Sequence, residues 1–200
     1  MENNEKKAGF RGGISMNKLT GSFRYGLGWN GTSSSYTQND LGIIRQTNNQ
    51  RFNIRMSYQI FEETKLLRTF SNYLYASQAY TYDNFIKKSW GFRQGNNFTF
   101  QNLMSFSLDF DYTSEYKDFD ETRTTDRFII EPENFEIQFE MKSDSNKRFS
   151  YGFDVSNTNF FKEDYGENKS RTRVEIFTDL RYSDRLSLGA GIQTINTLDD

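Results

Sequence analysis

The sequence predicts an all-β protein, an antiparallel up-and-down meander of about ten strands that forms part of a transmembrane β-barrel. Three observations predict this fold. Apolar and polar residues alternate with a period of two in segment after segment. Short and long polar connections alternate between these segments. No segment shows a sustained helical repeat, and none approaches the ~18–20 apolar residues of a membrane-spanning helix.

The strand pattern begins with "GSFRYGLGW", in which Phe23, Tyr25, Leu27 and Trp29 occupy every second position. Period two gives a strand two unlike faces. The same alternation recurs in "RFNIRMSYQIF", "LMSFSLDFDYT", "FEIQFEMK", "RFSYGFDVS" and "LSLGAGIQT". An apolar face of nine positions spans ~30 Å, or ~21 Å along the membrane normal at a ~45° tilt. These lengths fit the ~25 Å lipid-facing band of membrane barrels.

The connections come in two sizes. Short turns are predicted near residues 17, 63, 102, 145 and 184, and longer polar stretches at 30–50, 78–87, 114–127 and 158–169. Outer-membrane barrels combine short turns on one side with longer loops on the other, whereas soluble sandwiches use shorter strands and Greek-key crossings. The alternation therefore favours an apolar face turned toward lipid.

Two segments break the simple pattern. In "SWGFRQGNNFTF", Gln94 and Asn96 share a face with aromatic residues, and a bulge or kink at Gly95 is predicted to turn them inward. The apolar phase also changes between Ile130 and Phe135, where a bulge marked by Pro132 would explain the shift.

The charged residues of the strands fall opposite the apolar side. In a barrel they would line the lumen as cross-strand ion pairs or a wet channel, and on a soluble protein they would be a solvated face. They are Arg24, Arg51, Arg55, Asp109, Asp111, Glu136, Glu140, Arg148, Asp154, Arg173, Glu175, Asp179 and Arg181. Tyr and Trp residues lean toward strand ends, as in interfacial girdles: Trp29, Trp90 and Tyr112 on the loop side, and Tyr58, Tyr151 and Tyr182 on the turn side.

Composition excludes several classes of function. With 25 basic and 27 acidic residues interspersed along the chain, no basic field favours nucleic acid. The absence of His and Cys excludes disulfides, imidazole or thiolate metal ligands and His-dependent catalysis. We therefore expect no enzyme activity, no cofactor and no metal site. Asp109 and Asp111 lie two apart on one strand face and could do acid–base work, but a charge ladder explains them without chemistry.

Loop composition supplies the candidate ligand contacts. The stretches "NGTSSSYTQND" and "SQAYTYDNF" combine aromatic rings with hydroxyl and amide groups, which can stack on and hydrogen-bond to sugars. Such a mixture is also ordinary for loops. The residues singled out are Tyr36, Asn39, Asp40, Tyr80 and Tyr82.

The segment "SSYTQNDLGIIRQTNN" and the strand before it resemble a group of uncharacterised Gram-negative outer-membrane barrel domains. The likeness covers residues 12–60 and is closest at Tyr36, Asn39, Asp40, Leu41 and Gly42, with Asn48 and Asn49 following. In that group the barrel follows a family-9-like carbohydrate-binding module. The resemblance implies an outer-membrane location and membrane lipid as partner, with carbohydrate as a further one. It supplies no catalytic residue.

Three functions remain open from the sequence. The first is an outer-membrane barrel that acts as a membrane anchor or as a conduit for glycan-related material. The second is a soluble all-β binding barrel, lipocalin-like or sugar-binding. The third is a barrel enzyme with active residues elsewhere. By turn count both ends of the single domain, residues 1–200, lie on the long-loop side. We therefore expect the chain to be an internal part of a larger barrel.

Overall fold

The computed structural model describes residues 8–36, 47–60, 62–119, 127–161, 168–183 and 185–199. Its regular elements in these ranges are all strands. They are β1 (Arg11–Lys18), β2 (Phe23–Thr32), β3 (Asn49–Ile60), β4 (Leu67–Tyr80), β5 (Lys87–Phe100), β6 (Ser105–Thr113), β7 (Tyr116–Asp118), β8 (Ile129–Glu131), β9 (Glu133–Lys142), β10 (Phe149–Phe161), β11 (Lys169–Ser183) and β12 (Leu186–Asp199). No helix in the described ranges has the length and apolar character needed to cross a membrane.

Ten of the strands form one antiparallel sheet in the order β1-β2-β3-β4-β5-β6-β9-β10-β11-β12. Each strand pairs with the next one along the sheet, which is the predicted meander. Strands β7 and β8 form a separate two-stranded hairpin within the connection from β6 to β9. The predicted all-β class and the number of about ten meander strands are therefore confirmed.

The connections at one end of the sheet are short, and those at the other end are longer except for 81–86 between β4 and β5, which is as short as 61–66 and 143–148. The predicted turns near 63, 102, 145 and 184 fall between consecutive strands. The turn predicted near residue 17 is misplaced, because Asn17 and Lys18 still belong to β1 and pair with Gly26 and Tyr25 of β2. The chain turns instead over 19–22, where Gly21 has a φ of 85°, a conformation that favours glycine. The loop predicted at 78–87 is shorter than expected, because β4 continues to Tyr80.

The register fixes which residues share a face. One row of directly opposed residues runs across the sheet from Phe23 through Asn96 and Leu108 to Val174. Because side chains alternate along every strand, this row defines an apolar face and its neighbours define a polar face. The predicted division is confirmed: Phe106, Leu108, Phe110, Ile137, Phe139, Phe153 and Leu188 share the apolar face, and Asp109, Glu136, Glu140 and Asp154 share the polar face.

Both predicted bulges are wrong. The register of β5 with β4 and with β6 runs unbroken through Gly95, so Gln94 and Asn96 stay on the apolar face. Near Pro132 the phase changes because the two apolar runs belong to different strands. Ile130 pairs with β7 in the hairpin, whereas β9 begins anew at Glu133 in the large sheet.

The large sheet is a single layer. Among the described residues, Ala79 is the one hydrophobic side chain that is buried. Large apolar residues such as Ile54, Ile176 and Ile192 are exposed by 41–78%. Within the described ranges the fold therefore has no closed hydrophobic core, and its apolar face is open to whatever covers it.

Candidate functional site

The polar face of the sheet is the candidate functional site, because it gathers most of the charges of the strands. Of the charged residues predicted to lie there, those within strands alternate onto this face. Arg148 is the exception, since it precedes β10 and its guanidinium lies 5.8 Å from the centre of the Tyr182 ring.

The centre of this face is built by β4, β5 and β6. The Tyr73 hydroxyl donates a hydrogen bond of 2.7 Å to Oδ1 of Asp109 and crosses over β5 at Gly95 to reach it. A Cβ at Gly95 would collide with the Tyr73 ring and the Asp109 carboxylate. Arg93 forms an ion pair with Asp111. Glycine at this position therefore lets two strands join across a third.

The polar network continues onto β9, β10 and β11. The Gln138 amide donates to Oδ2 of Asp154 at 2.5 Å, and Asp154 is only 7% exposed. The Thr158 hydroxyl donates to Oε2 of Glu136 at 3.1 Å. On β11, Arg173 Nη2 lies 2.5 Å from Oε2 of Glu175. Each of these carboxylates therefore accepts a hydrogen bond from a neighbouring donor, as polar groups removed from bulk water require.

The pair that could do acid–base work, Asp109 and Asp111, lies beside a cavity on this face. Its volume is about 370 Å³, and Tyr73, Arg93 and Glu136 also line it. Each of the two carboxylates has its own partner, Tyr73 for Asp109 and Arg93 for Asp111. The arrangement is a ladder of cross-strand pairs in which donors and acceptors alternate.

Of the predicted ligand-contact residues, Tyr36, Tyr80 and Tyr82 lie at the long-loop end of β1–β5. Asn39 and Asp40 are outside the described residues. Tyr36 is half-buried, with its backbone nitrogen donating to the Ser33 carbonyl at 3.2 Å. Tyr80 stacks on Phe85 with ring centres 4.5 Å apart, and Tyr82 stacks on Phe10 at 5.9 Å. The rings of Tyr80 and Tyr82 thus belong to an aromatic cluster at this end of the sheet.

Sequence reasoning missed Lys88, which is 2% exposed at the start of β5. Its ammonium lies 5.4 Å from the centre of the Tyr116 ring, so the β7–β8 hairpin folds onto it. The side chain adjoins a register shift between β4 and β5, which the alternation alone does not reveal.

Sequence reasoning also missed polar clusters within the apolar face. The Asn72 amide donates to Oδ1 of Asn96 at 2.8 Å. Near the loop end of β10, the Asn157 amide donates to the Thr172 hydroxyl at 2.9 Å and the Ser170 hydroxyl at 3.2 Å. These groups satisfy one another, so each cluster is internally bonded. Across the parts of the chain that the structure describes, no group of three or more carboxylates is placed to hold a metal ion.

Fold and site together define a class of domain, a ten-stranded antiparallel sheet with one apolar and one charged face. The chain matches the family model described as Domain of unknown function (DUF5916) over residues 1–200 and belongs to that family. No curated protein and no solved structure matches the chain.

Proposed function

We propose that the chain is part of a transmembrane β-barrel of the outer membrane, and that it acts as a membrane anchor or as a conduit for glycan-related material. In this proposal the apolar face contacts lipid and the polar face lines the lumen. The carbohydrate-binding module of the barrel group that residues 12–60 resemble supports the glycan part of the proposal.

The observation that carries the proposal is the oblique course of the apolar band. On β2 the apolar residues run from the row of Phe23 toward the loop end, as far as Trp29. On β11 they run from the same row, at Val174, toward the turn end, as far as Leu180. From β2 to β11 the position of the apolar band along the strands therefore shifts toward the turn end of the sheet.

The slope of the band has the size that a tilted barrel requires. It shifts by about six residues, ~20 Å, over the ~34 Å between β2 and β11. This corresponds to an angle of about 30° between the band and the row of paired residues, close to the strand tilt of roughly 35–45° in membrane barrels. A band that stays level in a bilayer must cross tilted strands in this way.

Aromatic residues at the borders of the band follow the same slope. Trp29 and Trp90 lie together on the loop-side border, in one row of the register. On the turn-side border, Tyr58 is in the row of Phe23, whereas Tyr151 on β10 lies four residues beyond that row. Tyr and Trp prefer the membrane–water interface, so sloping rows of them support two interfaces, which on β2 and β3 are six residues or ~20 Å apart along the strand.

The bonded clusters of the apolar face agree with the same band. Asn157, Thr172 and Ser170 lie on the loop side of the band on β10 and β11, where the slope places the headgroup region. Asn72 and Asn96 lie within the band, but they are hydrogen-bonded to each other. Polar groups in hydrocarbon are tolerated where they are paired.

The polar face supports a conduit as well as an anchor. This face contains a cavity of about 370 Å³ beside the paired groups Tyr73, Arg93, Asp109 and Asp111, and a second cavity of about 440 Å³ that Arg51 and Arg55 line. Hydrophilic interiors of this kind are typical of water-filled barrels.

The proposal is tested by tryptophan fluorescence in lipid vesicles. The chain has two Trp residues, and both lie on the loop-side border of the band. We expect the full-length chain to fold in vesicles, to migrate heat-modifiably on a gel, and to be quenched most by lipids brominated close to the headgroup. In a matched variant carrying Trp29→Phe, Trp90→Phe and Phe110→Trp, the fluorescence should be quenched most by lipids brominated deep in their acyl chains. A detergent-free monomer with no quenching in either form would favour the soluble binding barrel.

A further inference from the structure

Strands β1–β5 and the neighbouring strands β6, β9 and β10 carry charge of opposite sign, whereas β11 carries both signs. In the described strands β1–β5 every charged residue is basic. These residues are Arg11, Lys18, Arg24, Arg51, Arg55, Arg68, Lys87, Lys88 and Arg93. In β6, β9 and β10 the charged residues are acidic apart from Lys142: Asp109, Asp111, Glu133, Glu136, Glu140 and Asp154. A field of one sign along neighbouring strands attracts ligands of the other sign.

The basic half of the polar face contains a pocket of about 440 Å³ across β1–β4. Its walls include Arg51 and Arg55, which lie on β3 on either side of Asn53. Opposite Asn53 and Arg55 the strand β2 has Gly28 and Gly26, which carry no side chains. The Asn53 amide lies 2.9 Å from where a Cβ of Gly28 would be, and the Asn17 amide lies over Gly26 in the same way. Glycines therefore open the space between the two arginines.

The two arginines are available to a ligand. Within the described residues neither Arg51 nor Arg55 forms an ion pair with a carboxylate. The Arg55 guanidinium lies 5.6 Å from the centre of the Tyr75 ring, and stacking of this kind orients the planar group. Arg51 is half-buried at the other end of the pocket. Arginine forms bidentate hydrogen bonds with carboxylates and other oxyanions.

The space between the arginines is lined by neutral hydrogen-bonding groups. The Asn53 amide donates to the Gly28 carbonyl at 3.3 Å, which fixes its position. The Asn17 amide donates to the Ser15 hydroxyl at 3.3 Å on the facing side of the pocket. Fixed amide and hydroxyl groups between two cationic ends are complementary to a molecule that carries both hydroxyl groups and negative charge.

We propose that this arginine pocket, formed by Ser15, Asn17, Arg51, Asn53, Arg55 and Tyr75, binds an acidic saccharide. The oxyanion of the sugar pairs with the guanidinium groups, and its hydroxyls bond to the amide and hydroxyl side chains between them. Arg51 and Arg55 are about 13 Å apart along the strand, which suits an oligomer with charges on successive sugars better than a single small anion. The inference rests on the proposed function in one respect, since a saccharide would reach the pocket through the barrel lumen. Binding itself depends only on the residues of the pocket.

The test is calorimetric titration of the full-length chain, folded in detergent micelles, with digalacturonate. Cellobiose supplies a neutral disaccharide, acetate a carboxylate without a sugar, and glucose 1-phosphate a different sugar oxyanion. We expect digalacturonate to bind at least tenfold more tightly than cellobiose or acetate, and more weakly as salt is raised. Tight binding of glucose 1-phosphate as well would extend the site to phosphorylated sugars.

Variants separate the pocket from the general charge of the face. Arg51→Gln should weaken digalacturonate binding about tenfold or more, because it removes charge-assisted hydrogen bonds. Arg51→Lys keeps the charge but loses the planar fork, so it should bind at an intermediate level. The control Arg24→Gln removes the same charge from the same face outside the pocket, and should change affinity less than twofold.

The outcomes distinguish this inference from the proposed function. Equal affinity for cellobiose, equal affinity for acetate, or equal effects of Arg51→Gln and Arg24→Gln would overturn the saccharide site. A chain that is heat-modifiable and inserted in vesicles but does not bind digalacturonate would leave the barrel standing without the site. A chain that binds but is not quenched by brominated lipid would keep the site and reject the barrel.

Discussion

The hydroxyl of Tyr73 on β4 and the carboxylate of Asp109 on β6 are joined by a hydrogen bond of 2.7 Å that passes over Gly95 on β5. The link ties alternate strands of the sheet on its polar face. It exists because the intervening residue has no side chain, since a Cβ there would meet both partners. The Tyr73–Asp109 link therefore depends on the absence of a side chain at Gly95.

Gly95→Ala is expected to destabilise the folded chain by about 1–3 kcal/mol, because the new methyl group displaces the Tyr73 ring and the Asp109 carboxylate. The matched control is Gly91→Ala on the same face of β5, where the nearest atom to a new Cβ is the Tyr112 carbonyl oxygen at 3.3 Å. Denaturant unfolding in detergent micelles measures both. Equal losses for the two variants would show that the Tyr73–Asp109 link does not depend on Gly95.

If lipid covers the apolar face as proposed, Leu108→Arg is expected to cost about 2–4 kcal/mol in a bilayer, because it places a cation at mid-depth on that face. Asp109→Asn, one residue later on the opposite face, should be mild, since its amide oxygen still accepts from Tyr73. Unfolding titrations of the full-length chain in vesicles give both values. If the two substitutions had equal effects, the assignment of the faces would fail.

The Asn72–Asn96 pair is expected to behave as a unit. Asn96→Leu alone removes the 2.8 Å partner of the half-buried Asn72 amide and leaves that amide only its 3.3 Å bond to the Gly95 carbonyl, so we expect a loss of about 1 kcal/mol. The double variant Asn72→Leu, Asn96→Leu should recover most of this loss, because it makes the apolar band continuous. A double-mutant cycle measures the coupling energy. Strictly additive losses would mean that the pair is solvated and lies outside the band.

Gln50→Leu is expected to destabilise the loop end of the sheet by about 1–3 kcal/mol. Gln50 is 6% exposed and accepts from the Trp29 indole at 3.2 Å while donating to the Thr81 carbonyl at 3.1 Å. The control Gln78→Leu changes an amide of the same face on the neighbouring strand. Tryptophan fluorescence monitors the unfolding of both variants. Equal stability of the two would contradict the role assigned to Gln50.

Alternation was sufficient to predict most of the fold. In β6, Phe106, Leu108 and Phe110 face one side and Asp109 and Asp111 the other, because a strand has only two faces and the side chains are chemically distinct. The same logic placed the turns after β3, β5, β9 and β11. It failed near Asn17, where short polar residues also suit a strand end.

The remaining features depend on partners from distant parts of the chain. Gln94 and Asn96 violate the pattern of β5, and a bulge was the local explanation. The actual explanation is Asn72 on β4, whose amide satisfies Asn96 without any bulge. Likewise Gly28 lines the arginine pocket only because Arg51, Asn53 and Arg55 lie on the neighbouring strand. The sequence pattern of one strand does not determine which residues of the neighbouring strand lie opposite it.

The central claim is that lipid covers the apolar face, and spin labels along β6 test it most directly. The chain has no native Cys, so each single-Cys variant from 105 to 113 carries one label. In vesicles we expect labels at 106, 108 and 110 to collide with molecular oxygen, which concentrates in hydrocarbon. Labels at 107, 109 and 111 should instead collide with a water-soluble nickel complex. Labels at 106, 108 and 110 that are shielded from both probes would mean that protein covers this face, and would contradict the account.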